Sequence, residues 1–71
     1  MNLLNLKKGE TAMISGLAND GEDRRQLMEA GFIPGVEVEL IASSFLGGPL
    51  AVALHGTRIA LRRTEALAIQ L

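Results

Sequence analysis

The spacing of apolar and polar residues along this chain predicts short strands for most of its length. The clearest case is residues 36–40, where apolar residues alternate with Glu37 and Glu39, the period-2 pattern of a strand with one buried face. The segments with strand character are residues 11–18, 36–40, 50–55, 58–62 and 66–71. Val36, Val38 and Leu40 are expected to point inward, and the residues expected to be buried on the last two strands are Ile59, Leu61, Leu67, Ile69 and Leu71. Ala12 and Ile14 share one face of the first strand, and Leu50, Val52 and Leu54 share one face of theirs. The pattern therefore predicts five strands.

One segment has the composition of a helix. Asn19 and Asp20 are residue types that accept hydrogen bonds from the free amides at a helix start. Glu22 and Asp23 suit the positive end of the helix dipole. The apolar stripe that follows is narrow and the rest of the surface is charged, so we expect a helix over residues 21–30 that packs by one face and is not a core element.

The residues after this helix predict an abrupt change of direction. Gly31 is placed to end the helix in a left-handed conformation, with Phe32 and Ile33 folding back onto the last turn. Pro34 and Gly35 then fit the two central positions of a type II turn. The segment thus ends a helix, pins it and starts a strand.

The remaining connections are short. We expect a loop at residues 42–49, a tight turn at Gly56–Thr57 and one 3₁₀ turn at residues 63–65. Five short strands with one helix after the first favour a strongly curved antiparallel barrel, because closure removes exposed strand edges. A chain of 71 residues makes one domain, so we expect a single domain over residues 1–71.

Composition narrows the possible functions. The chain is 48% hydrophobic but only 3% aromatic, and it has no cysteine. The core is therefore expected to be aliphatic, and disulfides, thiolate nucleophiles, Fe–S clusters and cysteine-based zinc sites are excluded. No apolar run approaches the length of a signal peptide core or a membrane span, so we expect a cytoplasmic chain without membrane insertion.

Charge is distributed unevenly along the chain. The net charge is −1, but residues 1–39 carry four basic and seven acidic side chains, whereas residues 40–71 carry three arginines and one glutamate. A protein that binds duplex nucleic acid usually has a concentrated basic face, because each neutralised phosphate needs a Lys or Arg. We therefore expect no nucleic-acid partner.

The sequence gives little support for a catalytic site or a metal site. The single imidazole, His55, precedes a turn and is interpreted as an exposed turn histidine, and no glycine-rich loop carries the Lys and Ser/Thr of a P-loop. Ferrous ion favours imidazole with carboxylate ligands, and the carboxylates at residues 20–23 and 37–39 are interpreted as solvated charges. We expect no catalytic residue, no cofactor and no metal site, and we expect the isolated domain not to bind Fe²⁺ tightly.

A protein-contact surface remains as the candidate functional feature. Phe45 and Leu46 lie in the predicted loop, where exposed apolar residues often mark docking sites; folding back over the barrel end is an equal alternative. Arginines on the helix and near the last strands, Arg63 among them, offer steering toward an acidic partner. The candidate contact residues are Arg24, Arg25, Phe45, Leu46, Arg58 and Arg62. Without Trp or Tyr, an aromatic groove for proline-rich peptides is not expected.

Three stretches of the sequence, LNLKKGETAMISGL, RRQLMEAGFIPGVEVEL and LGGPLAVALHGTRIALRRTEALAIQL, together resemble the FeoA family over nearly the whole chain. The most specific parts are the second stretch and the block containing Gly56, Ile59, Ala60, Leu61, Arg62, Glu65 and Ala66. The resemblance implies an SH3-like five-stranded barrel, in agreement with the strand count. It also implies a small cytoplasmic partner of FeoB, the bacterial ferrous-iron transporter.

The leading hypothesis is a non-enzymatic accessory protein that binds and modulates a FeoB-type transporter. A small RNA- or ribosome-binding barrel using Arg58, Arg62 and Arg63 is one alternative, disfavoured by the lack of stacking aromatic residues. A stand-alone regulatory domain, like the C-terminal domain of DtxR-type metal-dependent repressors, is another. The chain has no room for the DNA-binding and dimerisation helices of those repressors, which favours the transport role. The sequence leaves the oligomeric state open.

Overall fold

The protein forms two antiparallel sheets with helices at their ends, in a computed structural model that describes all 71 residues except the side chain of Phe45. The strands are β1 (Thr11–Met13), β2 (Gly16–Leu17), β3 (Glu37–Ser43), β4 (Leu50–Leu54), β5 (Thr57–Leu61) and β6 (Ile69–Gln70). The α-helices are α1 (Gly21–Ala30) and α2 (Arg63–Ala68), and 3₁₀ turns span Leu3–Asn5 and Phe45–Gly47. The larger sheet has the order β1-β3-β4-β5, and β2 pairs with β6 in the smaller one. The prediction of a mainly β, antiparallel fold is confirmed.

The inward faces of the strands form the core. Val38, Leu40, Val52 and Leu54 are buried at alternate positions on β3 and β4, where the pleat points them inward. The register of these two strands shifts between Leu40 and Ala42, so an irregularity bends β3 at this point. Every buried side chain that the structure describes is apolar, and Phe32 is the largest that is fully buried. The core is largely aliphatic, as the composition predicts, and Phe32 is the one aromatic side chain that the structure describes in it.

The helix α1 has the predicted bounds, but its start differs from the prediction. Asp20 occupies the N-cap position without a side-chain hydrogen bond to the helix, and the buried Asn19 Oδ1 has no hydrogen-bond partner among the described atoms. The expected side-chain cap is therefore wrong. The start of α1 depends instead on Glu22 and Asp23 near the helix dipole.

At the other end of α1, Gly31 is left-handed (φ 110°), as predicted. Its N–H donates to the carbonyl of Met28, and the Phe32 N–H donates to the carbonyl of Leu27, both at 3.0 Å. Phe32 is fully buried, whereas Ile33 is 44% exposed. The expectation that both residues pin the helix is correct for Phe32 and wrong for Ile33, because Ile33 is already the first residue of the next turn.

That turn has the predicted type II form. Gly35 has a φ of 92°, and the Val36 N–H donates to the Ile33 carbonyl at 3.1 Å across Pro34 and Gly35. The Gly35 N–H also donates to the Ile14 carbonyl at 2.8 Å. The turn is thus attached to the segment between β1 and β2.

The turn between β4 and β5 lies one residue earlier than predicted. It consists of His55 and Gly56, which both have positive φ (53° and 76°), while Thr57 already pairs with Leu54 in the sheet. Two left-handed central residues define a type I′ turn, whose twist matches that of the flanking strands. The predicted turn at Gly56–Thr57 is therefore wrong.

The first half of the last predicted strand, residues 66–71, is helical instead. Residues 63–68 form α2, in which Ala66 and Ala68 are buried and Leu67 is 50% exposed, so only Ile69–Gln70 remain as a strand. The Arg62 N–H donates to Glu65 Oε1 at 2.9 Å, which satisfies a free amide at the start of this helix. The predicted 3₁₀ turn at residues 63–65 is instead the first turn of α2. The first predicted strand also differs, because it is divided between β1 and β2.

Candidate partner-binding surface

The loop between β3 and β4 is closed by its own backbone. β3 extends to Ser43, so the connection is shorter than predicted. The backbone N–H and the Oγ of Ser44 both donate to the Pro49 carbonyl, at 3.2 and 2.8 Å. Residues 44–49, which we call the apolar loop, are therefore held at both ends.

Leu46 is the most exposed large apolar residue of the described structure. Its side chain is 90% exposed, and its backbone is left-handed, with φ 65° and ψ 32°. A left-handed conformation costs a non-glycine residue about 1–2 kcal/mol. The apolar loop therefore holds a leucine outward in a strained conformation. The sequence left open whether Leu46 is exposed for docking or folds back over the barrel end. The second alternative is wrong, because the side chain is exposed.

The other apolar candidate in this loop is Phe45. Its side chain lies outside the described residues, so its expected role in partner contact stays a prediction. The backbone of Phe45 begins the 3₁₀ turn Phe45–Gly47, which carries Leu46 at its centre. The turn thus holds Leu46 at the surface end of the loop.

Arg63 lies beneath the apolar loop. A Cβ built on Gly47 would stand 3.7 Å from Arg63 Nε, so the loop backbone passes close over the guanidinium stem. The Nε atom is buried and has no hydrogen-bond partner among the described atoms. Arg63 also lines a cavity of about 60 Å³ together with Leu3, Leu6 and Leu50. The sequence indicated Arg63 only as one of several basic residues. Its position under the apolar loop follows from the fold.

The four arginines predicted as contacts lie on different elements. Arg24 and Arg25 are exposed on α1, Arg58 is exposed on β5, and Arg62 is exposed at the start of α2. Arg25 forms ion pairs with Glu22 and, at 3.0 Å, with Glu29 on its own helix. In the described structure Arg24, Arg58 and Arg62 form no salt bridge, so their charges are more open to a partner than that of Arg25.

A polar cleft of about 250 Å³ joins α1 to the start of α2. It is lined by Asn19, Asp23, Gln26, Arg62, Thr64 and Glu65. Arg62 therefore faces α1, and the backbone leads directly from Arg62 to Arg63 below the apolar loop. We call the apolar loop together with Arg62 and Arg63 the loop face. Arg58 lies further along β5, opposite Ala53.

Carboxylates and the histidine meet in a second cleft. Glu37, Glu39 and His55 line it together with Gly35, Val36, Ala53 and Gly56. The sequence did not predict that His55 would approach Glu37 and Glu39, since this depends on the pairing of β3 with β4. Among the described side chains, no three His, Cys, Asp or Glu residues are close enough to hold a metal ion. Neither helix described by the structure is long and apolar enough to cross a lipid bilayer.

Comparison with protein families gives a match over the whole length. The family model for the FeoA domain matches residues 1–71. Among curated proteins, none matches this sequence.

Solved structures share the fold. The chain is similar to iron(II) transport protein A from Clostridium thermocellum, with 36% identity and a TM-score of 0.92 over 99% of this chain and 43% of that one. It thus spans less than half of that relative's length. It is also similar to FeoA from Stenotrophomonas maltophilia, described as an SH3 domain protein complexed with zinc, with 33% identity and a TM-score of 0.85 over 97% and 86% of the two chains.

A repressor structure shares the same fold. The chain is 19% identical to a manganese-dependent transcriptional repressor, with a TM-score of 0.85 over 100% of this chain and 41% of that one. Identity this low supports a common fold only. The SH3-like architecture expected from the sequence is confirmed by these comparisons.

Proposed function

This chain belongs to the FeoA family, and on that premise we propose that it is a non-enzymatic accessory protein that binds the cytoplasmic side of a FeoB-type transporter and modulates ferrous iron uptake. The similar Stenotrophomonas maltophilia protein is described as a candidate ferrous iron transport activating factor. A small domain with such a role acts by contact, so the proposal requires a surface suited to another protein.

The observation that carries the proposal is the presentation of Leu46. Its apolar side chain is 90% exposed on a loop held at both ends, and its backbone adopts a conformation unfavourable for leucine. Burying such a side chain in a partner gains about 1.5–3 kcal/mol, a useful fraction of the energy of a small interface. Because the loop is already ordered in the free domain, binding loses little further conformational entropy, which favours the complex.

The charged residues of the contact are proposed to act differently from Leu46. Arg62 and Arg24 carry exposed charges that steer an acidic surface of the transporter toward the loop face. Arg58, further along β5, extends the positive region. Arg25 contributes less, because Glu22 and Glu29 already compensate its charge. Phe45 is proposed to contact the partner beside Leu46.

Because FeoB-type transporters resemble GTPases, the test is a pull-down of a transporter's soluble domain and of the full-length transporter with this protein, with and without guanine nucleotide. Leu46→Asp is expected to abolish capture while the domain stays folded, because the side chain contributes little to the core. The matched control is Met13→Asp, at another exposed apolar residue (55% exposed) on β1, which should leave capture unchanged. The rate of nucleotide hydrolysis measured with and without the domain shows whether binding modulates the transporter.

Three results would contradict the proposal. The first is no capture of either transporter form by the folded wild-type domain. The second is equal loss with both aspartate variants, which would indicate a general solubility effect rather than docking through the loop. Full capture by Leu46→Asp would move the contact away from the apolar loop.

A further inference from the structure

The outer edge of β5 carries backbone groups without a strand partner. β5 pairs only with β4, in a register that places Leu54 opposite Thr57 and Val52 opposite Ile59. In a two-residue hairpin the residues that flank the turn, here Leu54 and Thr57, form a hydrogen-bonded pair. In an antiparallel ladder hydrogen-bonded pairs alternate with non-hydrogen-bonded pairs, so Thr57, Ile59 and Leu61 bond to β4. The N–H and C=O groups of Arg58 and Ala60 therefore point away from β4.

Nothing else in the described structure uses these groups. No backbone hydrogen bond from a turn, loop or helix end within the described residues reaches Arg58 or Ala60. Both residues are exposed, whereas the intervening Ile59 is half-buried with its side chain toward the core. The edge thus offers two donors and two acceptors in the spacing that an added strand requires.

The charged side chains on β5 and in its continuation to residue 64 are all basic, and Glu65 is the next acidic residue along the chain. Residues 57–64 include three arginines and no acidic residue. At the opposite edge, β1 follows Glu10, and its residues Thr11 and Met13 pair with Glu39 and Glu37. The β5 edge is therefore basic, whereas the β1 edge has charges of both signs nearby: Lys7 and Lys8 precede Glu10, and Glu37 and Glu39 lie on the adjacent strand.

We propose that the β5 edge binds an acidic, extended segment of another protein, which adds to the sheet as a fifth strand beside β5. The segment's backbone would exchange hydrogen bonds with Arg58 and Ala60, and its acidic side chains would pair with Arg58 and Arg62. Five residues of edge correspond to about 17 Å, enough for a segment of about five residues.

Charge decides between this occupant and a second copy of the same chain. Pairing two β5 edges would bring the arginines of both copies together, and like charges across a strand pair are destabilising. A charged residue on an edge strand is also a common protection against self-pairing. Arg58 and Arg62 are also assigned to the proposed transporter contact, but the outward backbone groups of β5 are not, so pairing at this edge can be tested separately from the exposed leucine of the apolar loop.

The test uses a seven-residue peptide of alternating Glu and Val with blocked ends. Titrated into the isotopically labelled domain, it is expected to slow amide hydrogen exchange at Arg58 and Ala60 by about tenfold or more at saturation, as hydrogen-bonded amides are protected. Its affinity should fall as salt rises. The same peptide with Lys in place of Glu should bind about tenfold more weakly or not at all, a difference of about 1.4 kcal/mol.

Two pairs of variants separate backbone pairing from charge attraction. Ala60→Pro removes one outward N–H and leaves the hydrogen bonds to β4 intact, so it should abolish peptide binding. The control, Thr11→Pro, makes the same change on the edge of β1 and should leave binding unchanged. Arg58→Glu should weaken binding about tenfold or more, with Arg24→Glu on α1 as its control. The Arg58 pair keeps the test decisive if proline disrupts the fold.

Several outcomes would overturn the inference. Protection of Thr11 and Met13 in place of Arg58 and Ala60 would assign the peptide to the wrong edge. Equal binding of the Lys peptide would remove the role of charge. Concentration-dependent protection of Arg58 and Ala60 in the absence of peptide would assign the edge to a second copy of the chain. Because the probe contains no transporter, these results do not bear on the proposed function.

Discussion

Replacing Gly31 with alanine tests how α1 is ended and attached to the sheet. Gly31 has a φ of 110°, where an alanine costs about 1–2 kcal/mol. Alanine also restricts the unfolded chain more than glycine does, which stabilises the folded state by about 0.4–1 kcal/mol. The net backbone cost is therefore about 1 kcal/mol. The new Cβ would also stand 3.1 Å from Leu54 Cδ2 in the core, and accommodating it costs about 1 kcal/mol more.

We therefore expect Gly31→Ala to lower the free energy of unfolding by about 2 kcal/mol. A matched control is Gly35→Ala, since Gly35 has a similar φ of 92° but no atom within 4 Å of the built Cβ. It should lose only the backbone cost, about 1 kcal/mol. Urea unfolding with an unchanged m-value is the assay, supported by thermal midpoints, which shift by about 4–8 °C per kcal/mol at this size. Equal losses in the two variants would refute the role of the Leu54 contact, and a neutral Gly31→Ala would refute the role of the left-handed residue.

Three further predictions concern the core, the hairpin and metal binding. Phe32→Ala should lower the free energy of unfolding by about 3–5 kcal/mol, whereas Ile33→Ala should lower it by less than about 1 kcal/mol because Ile33 is 44% exposed. Urea unfolding measures both losses, and similar losses would contradict the burial of Phe32 alone. His55→Asn should raise the thermal midpoint above that of the unchanged protein, because Asn-Gly favours the type I′ turn that His55 and Gly56 form; a midpoint no higher than that of the unchanged protein would argue against this explanation. The isolated domain should show no tight binding of Fe²⁺ in anaerobic calorimetry, since it has a single imidazole, and a stoichiometric sub-micromolar site would disprove this.

The features predicted correctly from the sequence are those determined by a few neighbouring residues. The bounds of α1 follow from acidic residues at its start and Gly31 at its end, and the turn at Pro34–Gly35 follows from the fixed φ of proline and the freedom of glycine. The alternation in β3 and β4 is equally local. In each case the signal and the structure lie within one turn or one strand.

The errors occur where distant contacts decide. Residues 66–71 alternate like a strand, but the fold buries Ala66 and Ala68 in α2 and exposes Leu67. A signal was available, because Glu65 lies three residues after Arg62, as in a helix start, and alanine and leucine follow. The alternating pattern places Leu67, the larger residue, in the core, whereas the fold buries the two alanines on either side of it.

The candidate surface was predictable only in part. The composition of residues 44–49 marks an apolar loop, but the outward direction of Leu46 depends on its left-handed backbone and on the two hydrogen bonds from Ser44 to Pro49. The free backbone of Arg58 and Ala60 depends on strand order, which no local pattern specifies. The sequence thus indicated the residue types of a contact surface, and the fold determines their presentation.

The pairing of the chain ends has a consequence for the order of folding. The β4–β5 hairpin closes across two residues, whereas β2 and β6 join Gly16 to Gln70, and the Leu71 N–H donates to the Met1 carbonyl at 3.0 Å. Because closing a long loop costs more entropy than closing a short one, the central hairpin is expected to form early and the joined ends last. Substitutions that weaken the joined ends should then accelerate unfolding and leave the folding rate nearly unchanged, which stopped-flow kinetics would reveal. The domain would open from its ends while the sheet that carries both candidate surfaces remains assembled.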